Sequence, residues 1–347
     1  MHICVIGAGH IGQHVLTHLR RVQPADVLTA VDIDPDKVTA LREQGISADG
    51  ICRDPDQVDV WIVCVSTGPG LSWLFQALDG IRPKPGALVS IESTLPVGTT
   101  AKAAERFRAR GYTPGKDFYL THVPHRVLFG VDEDPTGTTR VIAGVTETCL
   151  QAGIQFYTAC QIPLFPVSRP EIAELAKLVE NSARYMEIAF AEALKMGCDA
   201  GGLDFDELRL AVGTKDNVRL ADVDYGIGGE CLPKDLGFLQ QWLNAPLLEA
   251  AANTDQAYRR HLLEIARGRR AALLAGLTYK PGVPVVEGSR AVELGRQLQQ
   301  QGVEVFAQDP LLTEDQLKKL GFLPYRDGVD VDVVYWRGKW EERRSTP

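Results

Sequence analysis

Short apolar runs alternate with amphipathic stretches through the first 165 residues. The strand-like runs are His2–Gly7, Val27–Asp32, Val60–Ser66, Ala87–Ser93, Phe118–His122 and Thr139–Gly144. Between them, Gly12–Val22, Pro35–Gln44, Ser72–Ile81 and Thr99–Arg110 repeat their apolar residues at helical spacing. Alternation of this kind predicts βαβ units around a parallel sheet.

A proline-rich stretch at Pro163–Pro170 marks a boundary, and the pattern then turns helical. Ile172, Leu175, Ala176, Val179, Ala183, Met186, Phe190, Ala193 and Leu194 predict one long helix over Pro170–Met196, with Pro in the first turn, where its missing N–H costs nothing. Shorter helices are predicted over Asp204–Val212, Leu236–Leu243 and Leu247–Gly268. A second βα pattern follows: strand Ala271–Leu277, helix Arg290–Gln301, strand Val303–Gln308, helix Thr313–Leu320, and apolar runs Phe322–Tyr325 and Val331–Trp336. The chain therefore reads as α/β with three parts, residues 1–165, 166–268 and 269–347, and only the last ten residues are expected to fray.

Composition narrows the class. The 347 residues are 45% apolar and 24% charged, as in an ordinary soluble protein with a sizeable core. Lys plus Arg total 37 against 45 Asp plus Glu, a net charge of −8, which argues against nucleic acid or an anionic membrane as partner. No apolar run approaches the roughly 18–20 residues of a membrane span. The chain opens directly on Ile3-Cys4-Val5-Ile6, so no signal peptide is expected and the cytoplasm is the expected compartment. The seven cysteines are scattered, with no Cys-x-x-Cys pair, so neither a disulfide framework nor a bound metal is expected.

Gly7-Ala8-Gly9-His10-Ile11-Gly12 reads G-x-G-x-x-G, follows a strand at once and opens a helix. Asp32 ends the next strand 20 residues after Gly12. In a dinucleotide-binding turn the first glycine makes the bend, the second admits the pyrophosphate and the third lets helix and strand pack. The helix N-terminus offers its amides to the phosphates. A carboxylate at Asp32 accepts from the ribose hydroxyls and repels a 2′-phosphate, so NAD is the expected cofactor. An N-terminal Rossmann-like domain follows from this.

Gly226-Ile227-Gly228-Gly229-Glu230-Cys231-Leu232-Pro233-Lys234-Asp235 gathers three glycines, a thiol, an ammonium and a carboxylate in ten residues. Two readings are open: a substrate loop with an activated Cys231 nucleophile, or a tight turn with a buried Cys and a surface Lys–Asp pair.

With the glycine fingerprint, this decapeptide resembles the nucleotide-sugar dehydrogenases, the family of UDP-glucose, GDP-mannose and UDP-N-acetylmannosamine dehydrogenases. Three further segments match in order. They are Glu92-Ser93-Thr94-Leu95-Pro96-Val97-Gly98-Thr99-Thr100, then Glu174-Leu175-Ala176-Lys177-Leu178-Val179-Glu180-Asn181, then Gly276-Leu277-Thr278-Tyr279-Lys280-Pro281-Gly282. The resemblance implies NAD-dependent oxidation of a sugar 6-hydroxyl through an aldehyde to a carboxylate. It makes Cys231 the nucleophile that traps the aldehyde and Lys177 the oxyanion partner, with Asn181 one helical turn away. Asp235 and Thr94 would position water or the alcohol proton. The implied cofactor contacts are Gly7, Gly9, His10, Ile11, Gly12, Asp32, Ser66, Thr67 and Thr94. The implied substrate contacts are His125, Arg126, Val127, Leu128, Lys177, Asn181, Gly228, Tyr279 and Lys280. The family also implies a homodimer formed through the long central helix, and a final Rossmann-like domain, here shortened, that holds the nucleotide.

The chain departs from the family at informative places. His125 stands where many members have glutamate; it could act as a base, recognise a different substrate group, or pack. Phe129 replaces a second glutamate. Glu287 occupies the position of an arginine that helps hold the nucleotide, and Arg290 that of a proline, while Ser289 is kept. Two other functions therefore stay open: the same chemistry on a smaller or non-diphosphate alcohol, possibly stopping after two electrons, and a non-enzymatic NAD-binding regulator.

Overall fold

In the computed structural model, residues 1–68, 70–126, 137–280 and 282–343 are described. The chain divides into two units, residues 1–179 and 180–347.

In chain order the first unit holds β1 (His2–Ile6), α1 (His10–Val22), β2 (Val27–Val31), α2 (Pro35–Glu43), β3 (Ser47–Asp49), β4 (Val60–Val63) and α3 (Ser72–Gly80). It continues with β5 (Leu88–Ile91), α4 (Thr99–Ala109), β6 (Tyr119–His122), β7 (Arg140–Gly144), α5 (Glu147–Ala159) and β8 (Leu164–Pro166). The eight strands pair in the order β3-β2-β1-β4-β5-β6-β7-β8. The first six run parallel, as expected, which brings their carboxyl ends to one edge of the sheet. That edge carries the Gly7–Gly12 turn, Asp32, Ser66, Thr67, Thr94 and His125. One pairing departs from an all-parallel sheet: β7 lies antiparallel to β6, and β8 parallel to β7. Period-2 patterning reports a strand and its faces but not its direction.

Each face of this sheet carries its own apolar layer. Ile3, Val5, Val60 and Ile62 pack with Leu16 and Leu19 of α1 and Phe156 of α5. Cys4, Trp61, Val63 and Val89 pack with Leu74 and Leu78 of α3 and Phe107 of α4.

The long helix α6 (Pro170–Gly201) begins as expected and runs five residues past Met196. After it come α7 (Phe205–Val212), α8 (Cys231–Trp242) and α9 (Pro246–Ile265), then β9 (Ala271–Ala275), α10 (Arg290–Gln300), β10 (Glu304–Gln308) and α11 (Glu314–Lys319). Strands β11 (Leu323–Pro324), β12 (Val333–Trp336) and β13 (Lys339–Glu342) close the second unit. Its sheet has the order β11-β10-β9-β12-β13. Lys339–Glu342, inside the segment expected to fray, pairs antiparallel with β12. Its charged sequence hid an edge strand, a common way of protecting a sheet edge. Leu274, Leu294, Leu298, Val305 and Tyr335 form the core here, with Tyr258 and Leu262 of α9. Among the described residues, no helix is long and apolar enough to cross a membrane.

Candidate active site

The first unit carries the dinucleotide turn. A Cβ on Gly7 would lie 2.7 Å from the Cys64 carbonyl oxygen, and one on Gly12 only 1.8 Å from that of Gly7, so the turn closes only on glycines. Gly9 differs: nothing lies within 4 Å of where its Cβ would project. The open side of Gly9 and a helix start with no side-chain cap fit an anionic pyrophosphate, because first-turn amides have no intrahelical acceptor. Asp32 faces this turn; its carboxylate accepts from the Ala8 amide at 2.6 Å and the Asp34 amide at 2.9 Å. Ser66 is exposed, whereas Thr67 is buried and donates to the Thr94 carbonyl at 2.8 Å, tying the loop after β4 to the loop after β5.

Thr94 is half-buried. The segment after it is anchored by a residue not anticipated as part of the site. Glu174 on α6 accepts from the Gly98 amide, the Thr100 amide and the Thr100 hydroxyl, each at 2.6 Å. A carboxylate from another helix thus caps the start of α4, whose own N-cap, Gly98, offers no side chain. Lys177, half-buried, lies one turn along α6 from Glu174.

His125 is buried, and neither ring nitrogen has a hydrogen-bond partner among the described residues. Its ring lies 5.2 Å from that of His14. Burial, then the charges of Arg140, His14 and Lys177, hold its pKa well below the usual imidazole range, so it is neutral at pH 7. Behind it lies a second unanticipated group. Arg140 and Glu92, both fully buried, pair at 2.7 Å, and the Tyr157 hydroxyl donates to Glu92 at 2.6 Å. Arg126 is half-buried and donates to the Thr139 carbonyl at 2.9 Å. Val127 and Leu128, with Phe129, lie outside the described residues.

The second unit carries the cysteine loop. Cys231 is the first residue of α8, five residues earlier than expected, and its side chain is exposed, which removes the reading of it as a buried structural thiol. The helix tolerates Pro233 because a first-turn residue needs no amide donor. Asp235, one turn on, is fully buried. Its two oxygens accept from Asn181 Nδ2 at 2.5 Å and Lys234 Nζ at 2.6 Å, so Lys234 and Asp235 do pair, with the carboxylate buried and not at the surface. Asn181 and Lys177 are four residues apart on α6 and share one helix face.

Gly228 and Gly229 lie against the segment before α10: the Gly229 amide donates to the Gly288 carbonyl at 2.9 Å. Tyr279 and Lys280 are half-buried, and Tyr279, whose hydroxyl pKa is raised by burial and then by Cys231, flanks Gly229. Glu287 is exposed, and Ser289 caps α10. Arg290, at the family's proline position, donates to the Ile227 carbonyl at 2.9 Å and pairs with Glu293 at 2.6 Å. Among the described residues no group of three His, Cys, Asp or Glu side chains could hold a metal, and no cysteine is in a disulfide.

Residues 171–257 match the central domain of the UDP-glucose/GDP-mannose dehydrogenase family, and residues 3–63 match the TrkA-N domain. The chain is 30% identical to the UDP-N-acetyl-D-mannosamine dehydrogenase of Pyrococcus horikoshii over 80% of its own length and 70% of the relative's. It is 28% identical to the NDP-N-acetyl-D-galactosaminuronic acid dehydrogenase of Ralstonia nicotianae, over 86% and 80%. A solved structure of UDP-D-ManNAc dehydrogenase from Pyrococcus horikoshii superposes with a TM-score of 0.79 at 26% identity, covering 92% of this chain and 86% of that one. A two-sheet α/β chain with a glycine-rich strand–helix turn, a long central helix and an exposed cysteine at the start of α8, this protein belongs to the UDP-glucose/GDP-mannose dehydrogenase family.

Proposed function

We propose that the protein is an NAD-dependent dehydrogenase that oxidises the C6 primary hydroxyl of a nucleotide-sugar to a carboxylate. The observation that carries this reading is the Cys231 thiol, exposed at the first position of α8, with buried Asp235 one turn behind it bonded to Asn181 and Lys234. A helix N-terminus favours thiolate over thiol, as a nucleophile requires. In this reading Cys231 adds to the aldehyde carbon formed by the first oxidation, giving a thiohemiacetal. The second oxidation leaves a thioester, which water hydrolyses to the carboxylate and the free thiol. Lys177 and Asn181 stabilise the oxyanion, and Thr94 and Asp235 orient the alcohol proton and then the water.

NAD, when bound, supplies the acceptor for both electron pairs. Gly7, Gly9, His10, Ile11, Gly12, Asp32, Ser66, Thr67 and Thr94 would hold it, and the carboxylate of Asp32 excludes a 2′-phosphate. His125 is assigned to substrate recognition, with Arg126, Val127, Leu128, Gly228, Tyr279 and Lys280. Among the described residues a packing role would leave a buried donor and acceptor unsatisfied, at a cost of about 1–3 kcal/mol each. Residues 1–165, 166–268 and 269–347 act as cofactor, catalytic and nucleotide segments. Exposed Ile172, Val179 and Phe190 fall on one stripe of α6 and support a homodimer formed through that helix.

The test is absorbance at 340 nm with NAD and a panel of UDP-, GDP- and dTDP-hexoses, followed by mass spectrometry of the product. A uronate formed with two NADH per sugar supports the reading. One NADH with an accumulating aldehyde reduces it to a two-electron oxidation, and NAD binding without turnover on any sugar overturns it.

A further inference from the structure

The glycine loop before Cys231 is held by a buried carboxyl, that of Asp255, which the chemistry above does not use. Gly226 has φ 108°, and a Cβ there would lie 2.7 Å from Arg259 Cγ and 3.1 Å from Asp255 Oδ1. The next amide, that of Ile227, donates to Asp255 Oδ1 at 2.7 Å in a buried setting. Asp255 is 2% exposed, and its other oxygen pairs with Arg259 at 3.2 Å. Glu192, on α6, is fully buried, and neither carboxyl oxygen has a hydrogen-bond partner among the described residues.

We propose that Asp255, paired with Arg259, is a positioning unit that sets the Gly226–Cys231 loop and so aims the Cys231 thiol. The assignment rests on the reading of Cys231 as nucleophile.

Asp255 has the Ile227 amide and Arg259 as partners; among the described residues Glu192 has neither a hydrogen bond nor an ion pair. Burial first, and the charge of Asp255 next, push Glu192 up to about 9, against the opposing pull of Arg259 and Arg290. The other titratable groups here are Tyr185, whose hydroxyl pKa is raised by burial and then by Asp255 and Glu192, and Tyr258, raised by burial and then by Glu192, Asp199 and Asp224, so both stay neutral. At neutral pH Glu192 is therefore protonated, and the Asp255 carboxyl grips the Ile227 amide. Ionisation of Glu192 places a second negative charge against Asp255 and loosens that grip.

Amide hydrogen exchange at Ile227, followed in a peptide that begins at or before residue 224, corrected for intrinsic rates and measured on the full chain from pH 6 to 10, tests this without a substrate. Wild type is expected to protect the Ile227 amide at neutral pH and to lose about tenfold in protection above pH 9. Glu192→Gln, which keeps the neutral form at every pH, is expected to retain protection to pH 10. Asp255→Asn is expected to lose protection about tenfold at every pH, and its kcat more than its KM wherever a substrate is found. If Glu192→Gln loses protection with the same pH profile as wild type, or Asp255→Asn protects Ile227 fully, the positioning unit is refuted. Exchange that follows these expectations in a chain inert toward every nucleotide-sugar would refute the functional reading and support the loop assignment.

Discussion

Removing the carboxylate of Glu174 tests the local architecture of the cofactor side of the site. Its side chain is fully buried and accepts three hydrogen bonds of 2.6 Å, from the Gly98 and Thr100 amides and the Thr100 hydroxyl. Hydrogen bonds to a charged group contribute about 1.5–3 kcal/mol each, and a buried amide left without an acceptor costs about 1–3 kcal/mol. In Glu174→Ala the threonine hydroxyl can rotate toward another acceptor, but the two amides cannot. Burial opposes part of the gain, since it raises the carboxyl's pKa despite the three donors. The net expectation is a loss of about 3–5 kcal/mol for Glu174→Ala. Glu174→Gln, which keeps one carbonyl acceptor but turns an N–H toward a donor, is expected to lose about half as much. Urea unfolding followed by tryptophan fluorescence measures both, with Trp61 and Trp73 reporting on the first unit. A Glu174→Ala variant within 1 kcal/mol of wild type would show that the α4 start is not held this way.

Other expectations follow from buried charge. Glu92→Gln strands the Arg140 guanidinium and is expected to cost about 3–5 kcal/mol, whereas Glu92→Met with Arg140→Met costs less than either single change in a double-mutant cycle. Burial lowers His122 to about 4 and holds His125 low, so the folded chain binds fewer protons than the unfolded one below pH 6.5. Their contribution to stability is present above that pH and lost on acidification, at about 1.4 kcal/mol per pH unit for each; His122→Gln should flatten the acid limb measurably. A hydrogen bond from Cys4 brings the half-buried Cys52 thiol down to about 7, so site-resolved alkylation at pH 7.5 should modify Cys52 well before Cys64 or Cys160. Equal rates would refute the Cys4–Cys52 contact.

Much of this organisation can be read along the chain because periodicity and glycine spacing are local properties. Strands β1, β2, β4, β5 and β6, the dinucleotide turn and the long helix follow from them. Short or charged elements do not: β3 has three residues, β8 sits among prolines, and β13 reads Lys-Trp-Glu-Glu. Helix α5 leaves only a weak apolar signal, because its buried face uses Cys149 and Gly153 beside Phe156 and Tyr157. The supporting residues are the least legible. Glu174 and Glu92 lie inside quoted motifs, but their partners are 74 and 48 residues away in the chain, at Thr100 and Arg140. Arg290 registers in the sequence only as a departure from a family pattern. In the fold it holds the Ile227 carbonyl, while Asp255 holds the Ile227 amide. Neither partnership has a sequence signature, because tertiary hydrogen bonds leave no period.

The central claim is covalent chemistry at Cys231, and counting NADH per sugar in wild type and in Cys231→Ala tests it most directly. Wild type should release two NADH and one carboxylate for each nucleotide-sugar consumed, and Cys231→Ala should form no carboxylate. A Cys231→Ala enzyme that still makes two NADH and a uronate would contradict the account.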